Sequence, residues 1–154
     1  TNMFNFKDMR KLVFLFFIIF IAFTNIKAQQ AIGARLSDNF GITYKYTYSN
    51  PVKLEGILEI HRHALTVNGL YERYYQTPFS KYFDWYFGGG AFINFWSVND
   101  NGGVNVGLRG VAGICYTFSD IPIDISLDWM PAIQIVSDYH ADFAILGLSV
   151  RYVF

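Results

Sequence analysis

From residue 30 onward, apolar and polar residues alternate one by one, and clusters of turn-forming residues interrupt the alternation at short intervals. A period of two puts successive side chains on opposite faces of a strand, whereas a helix repeats every 3.6 residues or about that. No helical period competes here. The alternation predicts strands at 30–37, 40–49, 53–62, 64–76, 83–97, 104–118, 122–136 and 143–154. Between them stand SDN, NPV, HRH, TPFSKY, NDNGG, SDIP and SDYHAD, which are turn compositions. Eight strands joined by short connections predict an all-β chain, an antiparallel up-and-down barrel.

The two faces separate cleanly. In the seventh run Ile121, Ile123, Ile125, Leu127, Trp129 and Ile133 share one side, and Asp124, Ser126, Asp128 and Gln134 share the other. In the sixth, Val104, Val106, Leu108, Ala112, Ile114, Tyr116 and Phe118 oppose Asn105, Arg109, Cys115 and Thr117. In the second, Phe40, Ile42, Tyr44, Tyr46 and Tyr48 oppose Thr43, Lys45, Thr47 and Ser49. Alternation alone leaves open which face is inside, because a soluble ligand-carrying barrel would turn the apolar face inward.

Composition decides. Charged residues are 16% of the chain, against about 25% in ordinary soluble domains. Past residue 28 the only lysines are Lys45, Lys53 and Lys81. The polar face is filled by Gly, Ser, Thr, Ala and Asn, too weakly charged for a water-facing surface. Aromatics on the apolar face gather at one end of the meander: Tyr46 and Tyr48, Phe83 and Trp85, Tyr116 and Phe118, Tyr152 and Phe154. A row of aromatics at one level is the pattern of a membrane-interface girdle, and Trp129 belongs to the opposite one. Several runs exceed the 9–11 residues or so that cross a bilayer as a tilted strand. The apolar face therefore meets lipid, and the expected fold is an eight-stranded antiparallel transmembrane β-barrel.

The N-terminus reads differently. Met9-Arg10-Lys11 is a basic head, LVFLFFIIFIAF (12–23) is unbroken apolar sequence, and Ala28 offers a small residue for cleavage. That is the secretory signal pattern; the apolar run is short of the roughly 20 residues a spanning helix needs. The expected division is a cleavable signal helix at 1–28 and a barrel domain at 29–154. Zero formal net charge gives no reason to expect a nucleic-acid partner, and the lone Cys115 excludes an internal disulfide and a cysteine metal cluster.

A signal peptide, eight alternating strands and the closing SVRYVF resemble the small outer-membrane β-barrel proteins of the OmpX and OmpA-barrel kind. GLRGVAGICYTFSDIPIDISLDWMPAI (107–133) resembles a recurrent hairpin of small Gram-negative outer-membrane barrels of undefined role. The resemblance covers essentially all of 29–154. It implies a bacterial outer-membrane location, and insertion by the barrel-assembly machinery, which would read Leu148, Val150, Tyr152 and Phe154. It also implies a C-terminus on the periplasmic side, with outward loops near 38–39, 61–64, 98–103 and 137–142. Inward turns then fall near 50–52, 77–82 and 119–121. The family's long outer loops are missing from this chain.

The inward-facing charges are Arg35, Lys45, Glu55, Glu59, Glu72, Asp84, Arg109, Asp124, Asp128 and Arg151. Eight strands leave an interior just wide enough for side chains, so these charges must pair or hold water. Arg109 and Arg151 are expected beside Asp124 and Asp128 on neighbouring strands, as a plug rather than a conducting path. His61 and His63 read as a polar strand end at the outer rim, since two histidines without a third ligand are a weak zinc signal. Gly88-Gly89-Gly90 lacks the Lys-Ser/Thr of a phosphate loop and marks a bulge or a crowded lumen. Cys115 reads as an inert inward residue. Pro131, unable to donate to a ladder, predicts a bulge or a break in pairing. The functional expectation is a monomeric, non-enzymatic barrel of structural or surface-interaction type that needs no cofactor and has membrane lipid as its surroundings. A lipid-modifying enzyme and a narrow carrier of small hydrophobic ligands are the alternatives.

Overall fold

The computed structural model describes residues 29–136 and 139–154; the expected signal helix at 1–28 lies outside them. Every regular element among the described residues is a strand: β1 Gln30–Leu36, β2 Phe40–Ser49, β3 Val52–Ile60, β4 Ala64–Thr77, β5 Ser80–Val98, β6 Asn101–Thr117, β7 Ile123–Trp129, β8 Ala132–Val136, β9 His140–Asp142 and β10 Leu146–Val153. All pair antiparallel with their neighbours, and β1 joins β10, from Ala31 opposite Val153 to Leu36 opposite Leu148. β6 is followed around the wall by β7 and β8, and these by β10 and β9, so the ten strands form eight staves of a closed barrel. Mutual hydrogen bonds between the backbones of Gln30 and Phe154, 3.0 and 2.8 Å, fasten the start of β1 to the residue after β10.

The seventh stave is interrupted at Met130-Pro131, where proline has no N–H to give. Gly110 N–H donates to the Pro131 carbonyl instead, and Met130 N–H donates to Ile145 O. Facing this break, the eighth stave is also divided, with 143–145 between β9 and β10. The turn composition SDYHAD concealed β9: three of its residues, 140–142, belong to a strand rather than to an outward loop.

β5 and β6 are longer than the alternation predicts, because NDNGG is not a five-residue loop. Asn99 and Asp100 take φ of 45° and 64°, the left-handed values of a two-residue hairpin turn, and Val98 pairs directly with Asn101. β5 and β6 have 19 and 17 residues against 7 in β1, so the rim away from the termini is highest at that hairpin. Conversely β3 stops at Ile60, and His61, Arg62 and His63 form the turn to β4.

The distribution of side chains is inside out relative to a water-soluble protein. Arg35, Glu72 and Arg151 are at most 1% exposed, whereas Leu36, Ile135, Leu146 and Tyr152 are each more than half exposed. Within the barrel a small apolar layer of Ile57, Leu70, Tyr74, Tyr86, Val111, Cys115 and Met130 packs among the charges.

Candidate functional site

The interior is the place where chemistry-bearing side chains converge. β1, β2, β3, β4, β6, β7 and β10 each send at least one charged residue inward at their polar parity, and burial makes unpaired ions there very costly. The charges resolve into three groups stacked along the barrel.

The group nearest the termini centres on Lys45. Its Nζ lies 2.9 Å from Glu72 Oε2 and 3.3 Å from Glu55 Oε2, and it donates to the Tyr74 hydroxyl at 2.5 Å. Tyr74 in turn donates to Glu72 Oε2 at 3.1 Å, and Thr43 donates to Glu55. Arg151 joins from β10: Nη1 reaches Glu55 Oε1 at 3.2 Å and Nη2 donates to Ser126 Oγ at 2.7 Å. Its Nε lies 2.9 Å from Asp124 Oδ1, a charge contact out of line for a hydrogen bond.

The middle group is a fork. Arg35 Nη1 and Nη2 donate to the two oxygens of Asp128 at 2.8 and 2.6 Å, and Tyr86 OH donates to Asp128 Oδ2 at 2.9 Å. This bidentate geometry is the strong form of an ion pair. Glycine makes the room for it. A Cβ on Gly147 would overlap the Arg35 guanidinium, and one on Gly113 would lie 2.6 Å from Asp128 Cβ and 2.8 Å from the Tyr86 ring. Gly147 and Gly113 are thus matched to large side chains. Gly88 and Gly90 follow the same logic against backbone: a Cβ on either would collide with a β4 carbonyl, that of Tyr71 or of Gly69.

The third group is Arg109 and Glu59, farthest from the termini. Here the expected pairing fails: Arg109 meets no aspartate, but Glu59 across the lumen, at 3.2 and 3.3 Å through Nη1 alone. Asp124 goes to Arg151 and Asp128 to Arg35. A barrel this narrow lets a side chain span from one stave to another far away, so adjacency along the sheet does not choose its partner. The Arg109 guanidinium also stacks 5.0 Å from the Phe92 ring centre.

Two polar vestibules flank these groups. One, of about 210 Å³ at the terminal end, is lined by Lys45, Lys53, Lys81, Asp84, Thr117 and Asp124 among others. Asp84 sits here half-buried, outside the buried ion-pair network with which it was grouped. The other, of about 190 Å³ at the far end, has Arg109 and Glu59 in its lining together with His61 and His140. His140, unremarked in the sequence because SDYHAD reads as a turn, is brought close by β9; His63 is exposed at the β3–β4 turn.

On the outside, Leu148, Val150, Tyr152 and Phe154 are 44–55% exposed along β10 and just beyond it. Tyr46, Tyr48, Phe83, Trp85, Tyr116 and Phe118 lie around the terminal end, with Phe83 opposite Tyr116 in the ladder and Tyr116 edge-on to Phe118 at 4.9 Å. Trp129 lies farther from the termini, its indole donating to Phe143 O at 2.6 Å.

No family model matches the chain, and no curated protein matches its sequence. Solved structures do match its fold. The N-terminal β-barrel domain of Pseudomonas aeruginosa OprF superposes with a TM-score of 0.64 at 15% identity, covering 82% of this chain and 96% of that one. Neisserial surface protein A superposes with a TM-score of 0.51 at 13% identity, covering 82% and 94%. The chain shares with them the closed eight-stranded antiparallel barrel.

Proposed function

We propose that the chain is a small outer-membrane β-barrel protein with a structural or surface-interaction role, its lumen plugged by its own charges, and without catalytic activity. The observation that carries this reading is the inverted surface: exposed Leu, Ile, Val and aromatic side chains around the outside, and ion-paired Arg, Lys, Glu and Asp within. Lipid accepts a barrel whose ladders pair the backbone around the ring, as those from β1–β2 through β5–β6 and back to β1–β10 do here. In the resulting orientation the termini face the periplasm, and the Asn99-Asp100 hairpin faces outward. Residues 1–28 serve as the export signal, Leu148, Val150, Tyr152 and Phe154 serve as the recognition strand for assembly, and the barrel is a monomer in lipid.

The experiment is cell fractionation with gel mobility, followed by planar-bilayer recording. The protein should enter the outer-membrane fraction, migrate faster unheated than boiled, and show no sustained conductance. Recovery in the soluble periplasm would defeat the membrane reading, and steady open channels would defeat the plug. For the assembly strand, removal of Phe154 should lower membrane insertion in cells far more than refolding into detergent, since one lost aromatic costs about 1.5–3 kcal/mol of burial. Equal losses in both assays would reduce Phe154 to a packing residue.

A further inference from the structure

The far-end vestibule has at its floor the least-used arginine of the three lumen arginines: Arg35 and Arg151 each engage through both Nη atoms and leave only Nε without a hydrogen bond. Arg109 is 7% exposed, yet it engages Glu59 through Nη1 only, its Nε is buried without a partner, and no described residue takes Nη2. Above it Asn94 accepts from the Thr66 hydroxyl at 3.2 Å, and its side-chain amide N–H has no partner among the described residues. Asp38 and Asp142 line the same cavity, from the β1–β2 turn and from β9. One buried cation with spare donors, and carboxylates around it, match a ligand that carries both signs of charge.

The wall beside this cavity is incomplete. β9 pairs with β8 and is the edge of the sheet, and the β1–β10 ladder ends at Leu36 opposite Leu148. Leu146 and Gly147 are paired toward β7 alone. The upper wall between β9 and the β1–β2 turn therefore lacks a ladder, and Leu36, Phe40, Phe143 and Leu146, all at least half exposed, surround that slot. About 190 Å³ accommodates a compact polar group, below the roughly 300 Å³ at which drug-sized ligand pockets begin. A slot with apolar borders gives an attached chain a way out.

We propose that the far-end vestibule binds a small zwitterion of the phosphoethanolamine type, its anionic end on the spare donors of Arg109 and its ammonium end toward Asp38 and Asp142. Both a lipid headgroup and a free solute carry this chemistry. The site requires only the folded barrel, so binding can be measured in a non-ionic detergent whatever the location in the cell. Calorimetry on the full chain with glycerophosphoethanolamine should give saturable binding. Glycerol phosphate, lacking the ammonium, and ethanolamine, lacking the phosphate, should each bind at least tenfold more weakly, a difference of about 1.4 kcal/mol. The pair E59Q/R109Q, which keeps a neutral hydrogen-bonding floor, and the surface pair D38N/D142N should each lose affinity similarly while retaining heat-modifiable folding. A lysophosphatidylethanolamine that binds well above the free headgroup assigns the ligand to lipid, and equal affinity assigns it to a solute. Absence of saturable binding, ethanolamine binding as tightly as the whole zwitterion, or unchanged affinity in both folded variants would overturn the proposal.

Discussion

The group around Lys45 and the pair at Arg109 are made of the same residue types, buried in the same lumen, and they are built differently. At the terminal end, Lys45, Glu55, Glu72 and Arg151 are linked at 2.5–3.3 Å to one another and to Tyr74 and Ser126, and Thr43 donates to Glu55. At the far end Arg109 and Glu59 meet at 3.2 Å, and among the described residues Nε and Nη2 of the guanidinium have no hydrogen-bond partner. Lys45, Glu55, Glu72 and Arg151 each hold at least two partners, although Glu72 Oε1 and Arg151 Nε make no hydrogen bond. A network so cross-linked fixes which staves lie opposite which. A half-satisfied pair beside a cavity is a poor fastener and a better receptor. The comparison separates charges that hold the barrel from charges available to something else.

The sharpest way to break it is at Arg151. R151L leaves Asp124 without its cation and takes one of two cations from Glu55. Removing one partner from a buried ionic group costs about 3–5 kcal/mol, because a charge is left uncompensated in a medium of low polarity. Chemical unfolding in detergent should register that loss, and a change under about 1 kcal/mol would mean that water reaches this layer.

The middle fork gives the next largest effect. R35L should destabilise by roughly 3 kcal/mol, softened because Tyr86 still donates to Asp128. The double variant R35L/D128L should recover much of that loss, and a double-mutant cycle should show coupling well above the roughly 0.5 kcal/mol expected of independent sites. G147A probes the same fork by volume. Its methyl would occupy space the guanidinium fills, so a cost of about 1–3 kcal/mol follows from overpacking. Additive behaviour of R35L and D128L would show that the fork does not fix the middle of the barrel.

Much of this molecule is legible in one dimension, since a period of two assigns every side chain to a face. Parity alone separates Arg35, Lys45, Glu55 and Glu72 from Leu36, Tyr44, Leu54 and Tyr71, and Pro131 marks the broken stave because it has no N–H. The partners were not legible. Asp124 and Asp128 sit on the strand next to Arg109, but strand adjacency does not measure reach across a lumen, and the arginine points to β3. Nor does sequence show that Gly147 makes space for Arg35, since the two are distant along the chain and meet only when β1 closes on β10. The Asn99-Asp100 turn was underestimated because NDNGG has more turn-forming residues than the turn uses, and β9 was missed because three residues are too few to display a period.

The smallest expected effect is the most discriminating. R109L deletes the Glu59 pair, yet that carboxylate borders an open vestibule and can be hydrated once the arginine is gone. Its loss should fall below the roughly 3–5 kcal/mol of a fully buried partner removal, toward about 1 kcal/mol for a hydrated pair, with some additional loss from the Phe92 stack. The contrast with R151L is then several-fold although both substitutions remove an arginine from the same lumen. Unfolding midpoints of the two variants, measured in one detergent with the slope checked for constancy, decide the matter. If R109L proves as damaging as R151L, the far-end pair is as much a fastener as the Lys45 group, and the distinction between holding charges and available charges fails. A small loss for R109L beside a large one for R151L leaves the outer arginine as a buried cation that the fold can spare.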